Sequence, residues 1–457
     1  MTKAERIRYL IIGNSAGGVG AAEAIREVDK AGTIAVVSDE PYPAYSRPLI
    51  SEYLVERCPL QRMLFRPPDF YEKNNIQAIL GHKVAQLDID KHAVKLDDGR
   101  TIVWEKLLLA TGGLPIVPKI EGIGLKGVFT FTKLDDARAI DNFVNQQPRG
   151  EIRAVVIGGG LIGISVAEAL NRRSVKVTIV EMQDRVLSTI LDEEASCLVG
   201  EALKKAGVEI LTGRTAGKIK GSRDGEVAGV ELDNLRTIPC QMVVVAIGVQ
   251  PRTDIAAEAG IKINRGIVVN RYMATSSPGI YACGDVAEAY NFIYGENRVT
   301  PIWPNACTGG RTAGFNMAGA RTKYQGGTSM NAVKYFGLSI VSAGMVTPPD
   351  DSYEVLSEKR DHVYRKVILK DGLIEGMVFS GDIEKSGIIY SLMKDRIDVN
   401  GFKKSLVTED FGLISLPEEI WRKMVESPPS AISSVVKPAK PPEKVVIRDL
   451  RFVFGGR

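Results

Sequence analysis

The sequence predicts an α/β chain in which two Rossmann-like βαβ units are followed by a C-terminal α+β domain. Three observations predict it. A glycine-bearing turn at residues 13–18 separates a short apolar run from a helical pattern, and a fuller copy recurs at 158–163. From residue 329 the pattern changes to strand alternation with hairpin turns.

The first unit occupies residues 7–39. Ile7 to Ile12 is an apolar run suited to a buried parallel strand, Gly13-Asn14-Ser15-Ala16-Gly17-Gly18 is the turn, and Val19 to Val28 sets small and apolar residues at helical spacing. A second strand, Thr33 to Val37, runs into Ser38-Asp39-Glu40. An acid therefore falls 26 residues after Gly13, where a dinucleotide unit places its ribose ligand. Glycine suits such a turn because a pyrophosphate must approach bare N–H groups at a helix N-terminus. Ser15 holds the middle of the three glycine positions, and its hydroxyl either donates to the phosphate or crowds it. Gly13, Ser15, Ala16, Gly17, Gly18, Asp39 and Glu40 are the first cofactor-binding candidates.

At 457 residues the chain exceeds a single core and implies two or three domains. The 59 basic and 55 acidic residues nearly cancel to +4, which is no footprint for nucleic acid. No apolar run approaches the roughly 18 residues of a membrane span, and none is expected. The basic and then apolar start, MTKAERIRYLIIG, stops at Gly13 and reads as a first strand, not a signal peptide. Five scattered cysteines form no CxxC, so neither a redox dithiol nor a metal site is written locally. A reducing cytoplasm is the simplest location.

Residues 41–75, rich in Pro, Tyr and Arg, predict an irregular excursion with short helices. Residues 76–110 alternate as strands around the hairpin turn Asp98-Gly99, and the return strand Lys106 to Ala110 ends in Thr111-Gly112-Gly113. The second unit then supplies all three glycines, Gly158, Gly160 and Gly163, between the strand Ala154–Ile157 and a helix from Ile164 to Leu170. Its second strand ends at Glu181, 23 residues after Gly158. A carboxylate there accepts from a free ribose 2′-OH and repels a 2′-phosphate, so NAD is favoured over NADP, a preference that Arg172, Arg173 and Arg185 temper. Leu161 and Ile162 belong to this turn, and the return strand Met242–Ile247 ends at Gly248-Val249-Gln250-Pro251-Arg252. Next, the stretch Thr275 to Ala287 reads as a strand ending in Gly284-Asp285 before a small-residue helix, which sets a carboxylate at a helix N-terminus either to accept from the hydroxyls of a bound sugar or ribityl chain or simply to cap the helix. Trp303-Pro304 opens a helix running through Cys307 to Gly319 whose small residues suit close packing or an anion at its N-terminus. Residues 329–429 predict the α+β domain, with a hairpin at Asp371-Gly372 and helices at about 383–397 and 417–426. The Pro/Lys/Ser-rich stretch after it predicts a mobile linker, closed by a short strand in VVIRDLRFVFGG.

Glycine turn, TGG return, second glycine turn, GVQPR and CGD follow one another in an order that resembles the two-dinucleotide flavoproteins of the pyridine nucleotide-disulfide oxidoreductase family over residues 1–429. The resemblance implies a glutathione-reductase-like arrangement. FAD would lie on residues 1–115 and 249–328, with Thr111, Gly112, Gly284 and Asp285 completing its site, and NAD on residues 116–248. The α+β domain, 329–429, would be the family's interface domain, and 430–457 a linker and tail.

PYPAYSRPLISEYL and IWPNACTGGRTAGFNMAG resemble the branch without a redox disulfide: ferredoxin and rubredoxin reductases, nitrite reductase flavin domains and apoptosis-inducing-factor-like proteins. That branch implies Arg47 and Pro48 along the flavin and Trp303 near its pyrimidine edge. A Lys and a Glu that pair beside the flavin in many relatives correspond here to Glu52 and Ser165, with Arg47 or solvent as the alternatives facing Glu52. A cysteine pair and a C-terminal His-x-x-x-x-Glu are both missing from a chain whose histidines are His82, His92 and His362; Cys58 reads as a small buried hydrophobe. The expectation is an FAD-dependent NADH:acceptor oxidoreductase. It has no catalytic side chain, needs no metal, and exchanges electrons with ferredoxin, rubredoxin or an iron–sulfur subunit, as a homodimer or within a hetero-oligomer. The alternatives are an NADH oxidase or quinone reductase, and a flavoprotein acting mainly by redox-switched partner binding.

Overall fold

The computed structural model describes residues 5–56, 58–147 and 152–426. They fall into two compact units, one running to Phe411 and a short one from Gly412. The tail at 430–457, read above as linker and terminal strand, lies outside the described residues.

In the large unit, strand β1 (Glu5–Ile12) leads through the first glycine turn into helix α1 (Ala16–Val28), then to β2 (Ile34–Ser38), β3 (Ile76–Leu80) and β4 (Thr101–Leu109). The parallel order β3-β2-β1-β4 is extended by the strand Ile280–Ala282 beside β4, and on β4 by the antiparallel strands 93–96 and 84–88. Leu10 and Ile11 are wholly buried, as a parallel strand covered on both faces requires. Register fixes the site: Ile12 pairs with Val37 and with Leu109, and Leu109 with Ala282. Gly13, Ser38-Asp39, Ala110-Thr111 and Cys283-Gly284 therefore leave the sheet along one carboxyl edge, where open α/β sheets bind ligands.

The second unit repeats this with helix α2 (Leu134–Gln146), β5 (Arg153–Ile157), helix α3 (Leu161–Arg172), β6 (Lys176–Glu181), β7 (Glu209–Thr212) and β8 (Met242–Val245). Its sheet order is β7-β6-β5-β8, with the strand Val128–Thr130 beyond β8. Ile157 pairs with Val180 and with Val245, so Gly158, Glu181 and Ala246 to Gly248 again share one edge. The two chain crossings between the units, Gly113–Pro115 and Val249–Pro251, pair antiparallel.

One element differs from expectation. Gly284–Val286 is a single tight turn followed by the strand Ala287–Asn291, which pairs with Glu296–Val299, so no helix follows Asp285. Cross-strand pairing across the Tyr294-Gly295 turn outweighs the helical leaning of its alanines. Helix α4 (Trp303–Met317) instead lies against α1, as its small residues allow. A β-carbon on Gly310 would stand 2.1 Å from Gly17 O, and one on Gly314 2.4 Å from Ala21 O. Gly310→Ala is expected to lower stability by about 1–3 kcal/mol, the cost of overpacking, read by urea unfolding.

The α+β part is a five-stranded antiparallel sheet covering 330–380, with helix Ser386–Lys394 on its strand Leu373–Ser380. It seats on the second unit through polar contacts. Asp192 accepts from Tyr364 Oη at 2.7 Å and Lys366 Nζ at 2.8 Å, and Tyr335 Oη meets Leu161 O and Ser165 Oγ at 3.1 Å each. In the short unit, Glu418–Glu426 is helical.

Candidate functional site

A cavity of about 450 Å3 opens at the carboxyl edge of the first sheet. Gly13 to Gly17, Asp39, Arg47, Pro48, Thr111, Gly112, Gly284, Asp285 and Trp303 line it, and of the second glycine turn Ile162 reaches it. His82, Lys83, Asp254 and Glu258 line it as well. Two helix N-termini border it without side-chain caps: α1, entered at Ser15, and α4, entered at Ile302, where Pro304 leaves one N–H fewer. Such termini attract anions.

Glycine is required in the turn for a steric reason. Gly13 has φ +121°, and a β-carbon on it would stand 2.0 Å from Ala110 O; one on Gly18 would stand 1.9 Å from Gly13 O. The second turn repeats the arrangement, with 2.4 Å from Gly158 to Ala246 O and 1.9 Å from Gly163 to Gly158 O. The middle position is the tolerant one. Nothing lies within 4 Å of a β-carbon on Gly160, and Ser15 sits at φ −120° with its hydroxyl making no cap bond.

Electrostatics divides the acids. Asp39 takes Arg252 Nη1 at 2.7 Å and lies 3.6 Å from Lys133 Nζ. Burial pushes its carboxyl up, but the Arg252 hydrogen bond and the Lys133, Arg252 and Arg47 charges outweigh that and hold it below the usual carboxylate range. Glu40 is buried and absent from the cavity wall, with Tyr45 and Arg47 as its partners. Asp285 faces the cavity with no hydrogen-bond donor from the described residues. Burial pushes its carboxyl up, partly offset by Arg47. In the second unit Glu181 accepts from Gly159 N at 2.5 Å and Gln183 N at 2.7 Å, so its carboxylate is fixed beside the turn. Gly248, at φ +126°, leaves the strand next to it.

Several expected neighbours stand elsewhere. Glu52 is exposed and Ser165 Oγ bonds to Leu161 O at 2.8 Å; neither lines the cavity, and the partner of Arg47 is Glu40, not Glu52. Arg172 and Arg173 end α3, about 18 Å of helix from its N-terminal turn, and Arg173 pairs with Asp141, so neither tempers Glu181. Arg185 pairs with Asp184. Cys58 is half-buried, not buried. Burial pushes the Cys283 thiol well up and that of Cys307 to about 11, so neither is a thiolate at neutral pH. Arg252 and Lys133, the partners of Asp39, had no role in the sequence reading; the only local sign was an arginine closing the Gly248-Val249-Gln250-Pro251-Arg252 run after the second return strand.

The profile of the pyridine nucleotide-disulphide oxidoreductases matches residues 7–310. The chain belongs to that family. The profile of the rubredoxin NAD+ reductase C-terminal domain matches residues 330–397. Among relatives of this family, the chain is 30% identical over 424 residues to the NADH-dependent phenylglyoxylate dehydrogenase subunit epsilon of Aromatoleum evansii, covering 92% of this chain and 99% of that one. It is 31% identical over 400 residues to the nitrite reductase [NAD(P)H] of Bacillus subtilis, covering 87% of this chain but 48% of the relative. The chain thus spans about half the length of that nitrite reductase and of the Bacillus subtilis assimilatory nitrate reductase electron transfer subunit. Among solved structures, the NADH:rubredoxin oxidoreductase of Clostridium acetobutylicum superposes with a TM-score of 0.71 at 27% identity, over 87% of this chain and 97% of that one.

Proposed function

We propose that the chain is an FAD-dependent NADH:acceptor oxidoreductase that exchanges electrons with a redox protein of the ferredoxin or rubredoxin kind. The observation that carries this reading is the pair of sterically equivalent glycine turns, joined by a cavity that runs from the first turn to Ile162 of the second unit's helix. FAD suits the cavity: two uncapped helix N-termini suit a pyrophosphate, and the donorless Asp285 carboxylate suits a hydroxyl-bearing chain. Gly13, Ser15, Ala16, Gly17 and Gly18 would hold the pyrophosphate, Asp39 a ribose, and Thr111, Gly112, Gly284 and Asp285 the chain between; Arg47, Pro48 and Trp303 would wall the ring. Gly158, Gly160, Leu161, Ile162, Gly163, Glu181 and Gly248 would hold NAD(H).

The chemistry that FAD would supply when held by these residues is two-electron hydride exchange with NADH and exchange of those electrons, one at a time, with the redox protein. The side chains bind and orient, and no acid or base is demanded of them. The named role of the Aromatoleum evansii relative as a subunit supports a place as the flavin subunit of a larger complex, with homodimerisation as the other assembly. No helix among the described residues is long and apolar enough to cross a membrane, and with free cysteines throughout we assign the chain to a reducing cytoplasm. A second reading, NADH oxidase, is favoured by 34% identity over 326 residues to the NADH oxidase of Methanocaldococcus jannaschii.

Anaerobic mixing with NADH tests the proposal. The expected result is rapid loss of flavin absorbance, slow recovery in air and fast recovery with a ferredoxin or rubredoxin. Fast recovery in air selects the oxidase, and slow reduction with a persistent charge-transfer band selects a binding role. Glu181→Ser is expected to raise KM for NADH about tenfold, the loss of one charge-assisted hydrogen bond, and to narrow the preference over NADPH. Initial rates with both nucleotides check it.

A further inference from the structure

Glu40 carries a buried charge at the seam of the two nucleotide units. The residue is 6% exposed and both carboxylate oxygens are occupied: Oε2 accepts from Tyr45 Oη at 2.6 Å, Oε1 from Arg47 Nη2. Tyr45 Oη accepts in turn from the backbone N of Leu134, the first residue of α2, at 3.0 Å. The other arm of Arg47 donates to Thr132 O at 3.1 Å. Arg47 itself lines the cavity, where its charge bears on Asp285. Glu40 can therefore reach a bound molecule only through Arg47.

We propose that Glu40 is a positioning residue for the flavin: a buried counter-ion that fixes the Arg47 guanidinium at the cavity wall and sets the charge a bound ring system meets there. This rests on FAD occupying the cavity, as proposed above. A guanidinium held at both ends of its planar fork keeps one orientation, which a free arginine on its flexible stem does not. A buried carboxylate persists in its charged form when paired, and Arg47 is the cation that pairs it. Buried and outside the cavity wall, Glu40 has no place in binding a ribose there.

Reductive titration of the full-length protein against reference dyes, with thermal melts alongside, tests this. Glu40→Gln keeps an acceptor for Arg47 but removes the negative charge. Reduction places negative charge on the ring, so the midpoint potential is expected to move up in Glu40→Gln and down in Arg47→Gln. The double variant should match Arg47→Gln alone, because Glu40 acts on the bound ring only through Arg47. A Glu40→Gln protein that melts lower yet keeps the wild-type potential overturns the proposal, as do additive shifts in the double variant. If Glu40→Gln does not fold, Glu40→Asp keeps the charge but loses the reach. Its FAD dissociation constant, followed by flavin fluorescence, should rise about tenfold; an unchanged constant overturns the proposal. Wild-type protein that takes up no FAD overturns the flavin reading and this inference with it, whereas normal uptake with an unmoved potential overturns the role of Glu40 alone.

Discussion

Gly158→Ala is expected to keep its FAD and lose reduction by NADH, while Gly13→Ala is expected to lose FAD itself. The reason is the same in both turns. Gly158 is held at φ +108° by a 2.8 Å bond from its N–H to Val180 O, and Gly13 at φ +121° by a 2.8 Å bond to Val37 O. An added β-carbon meets Ala246 O at 2.4 Å in one and Ala110 O at 2.0 Å in the other. Left-handed backbone costs an alanine about 1–2 kcal/mol, and the overlap adds about 1–3 kcal/mol. The chain escapes by moving the turn, which carries the helix N-terminus away from the phosphates. About 3 kcal/mol lost at one site corresponds to roughly a hundredfold. Flavin content after purification and the rate of anaerobic bleaching by NADH separate the two losses. A Gly158→Ala protein reduced at the wild-type rate would remove the second turn from the reading.

The glycine turns were legible because their causes are local: a strand, a positive φ and a helix N-terminus lie within a dozen residues. The paired sheets follow from the same short patterns, and the small residues of α4 marked it as suited to close packing, though not α1 as the helix it packs on. Other parts had no local signal. Asp39 and Glu40 are adjacent acids in the sequence, yet one faces the cavity and its neighbour faces the protein. Which is which depends on Arg252, 213 positions from Asp39, and on the return of Arg47 over the sheet edge. Glu52 and Ser165 were named through the resemblance to an ion pair of many relatives, but the first is exposed and the second is occupied by its own helix and by Tyr335 from the C-terminal sheet. The strand after Asp285 was missed because its alanines carry no strand preference, and its partners, residues 267–268 and 296–299, make it one.

Asp285→Asn is expected to act with opposite signs on the empty protein and on the holoprotein. In the empty protein the Asp285 carboxyl is raised above its ordinary 3.8 by burial, with Arg47 offsetting only part of the cost. A carboxyl that is harder to ionise when folded costs stability as pH rises from its unfolded value through its folded one. The neutral amide avoids that cost, so the FAD-free variant should be more stable than wild type at pH 7, and the advantage should vanish below about pH 3.8. Ligand hydroxyls reverse the balance, because a carboxylate accepts them in charge-assisted bonds roughly twice as strong as those to a neutral acceptor. FAD affinity should then fall about tenfold in the variant, the worth of one such bond. In wild type the affinity should weaken as acidification protonates Asp285, while the variant shows no such dependence. Urea unfolding of the FAD-free proteins and fluorescence titration with FAD from pH 5 to 8 read both effects. A variant that loses stability and affinity together would mean that Asp285 supports the turn at Gly284 and does not reach the ligand.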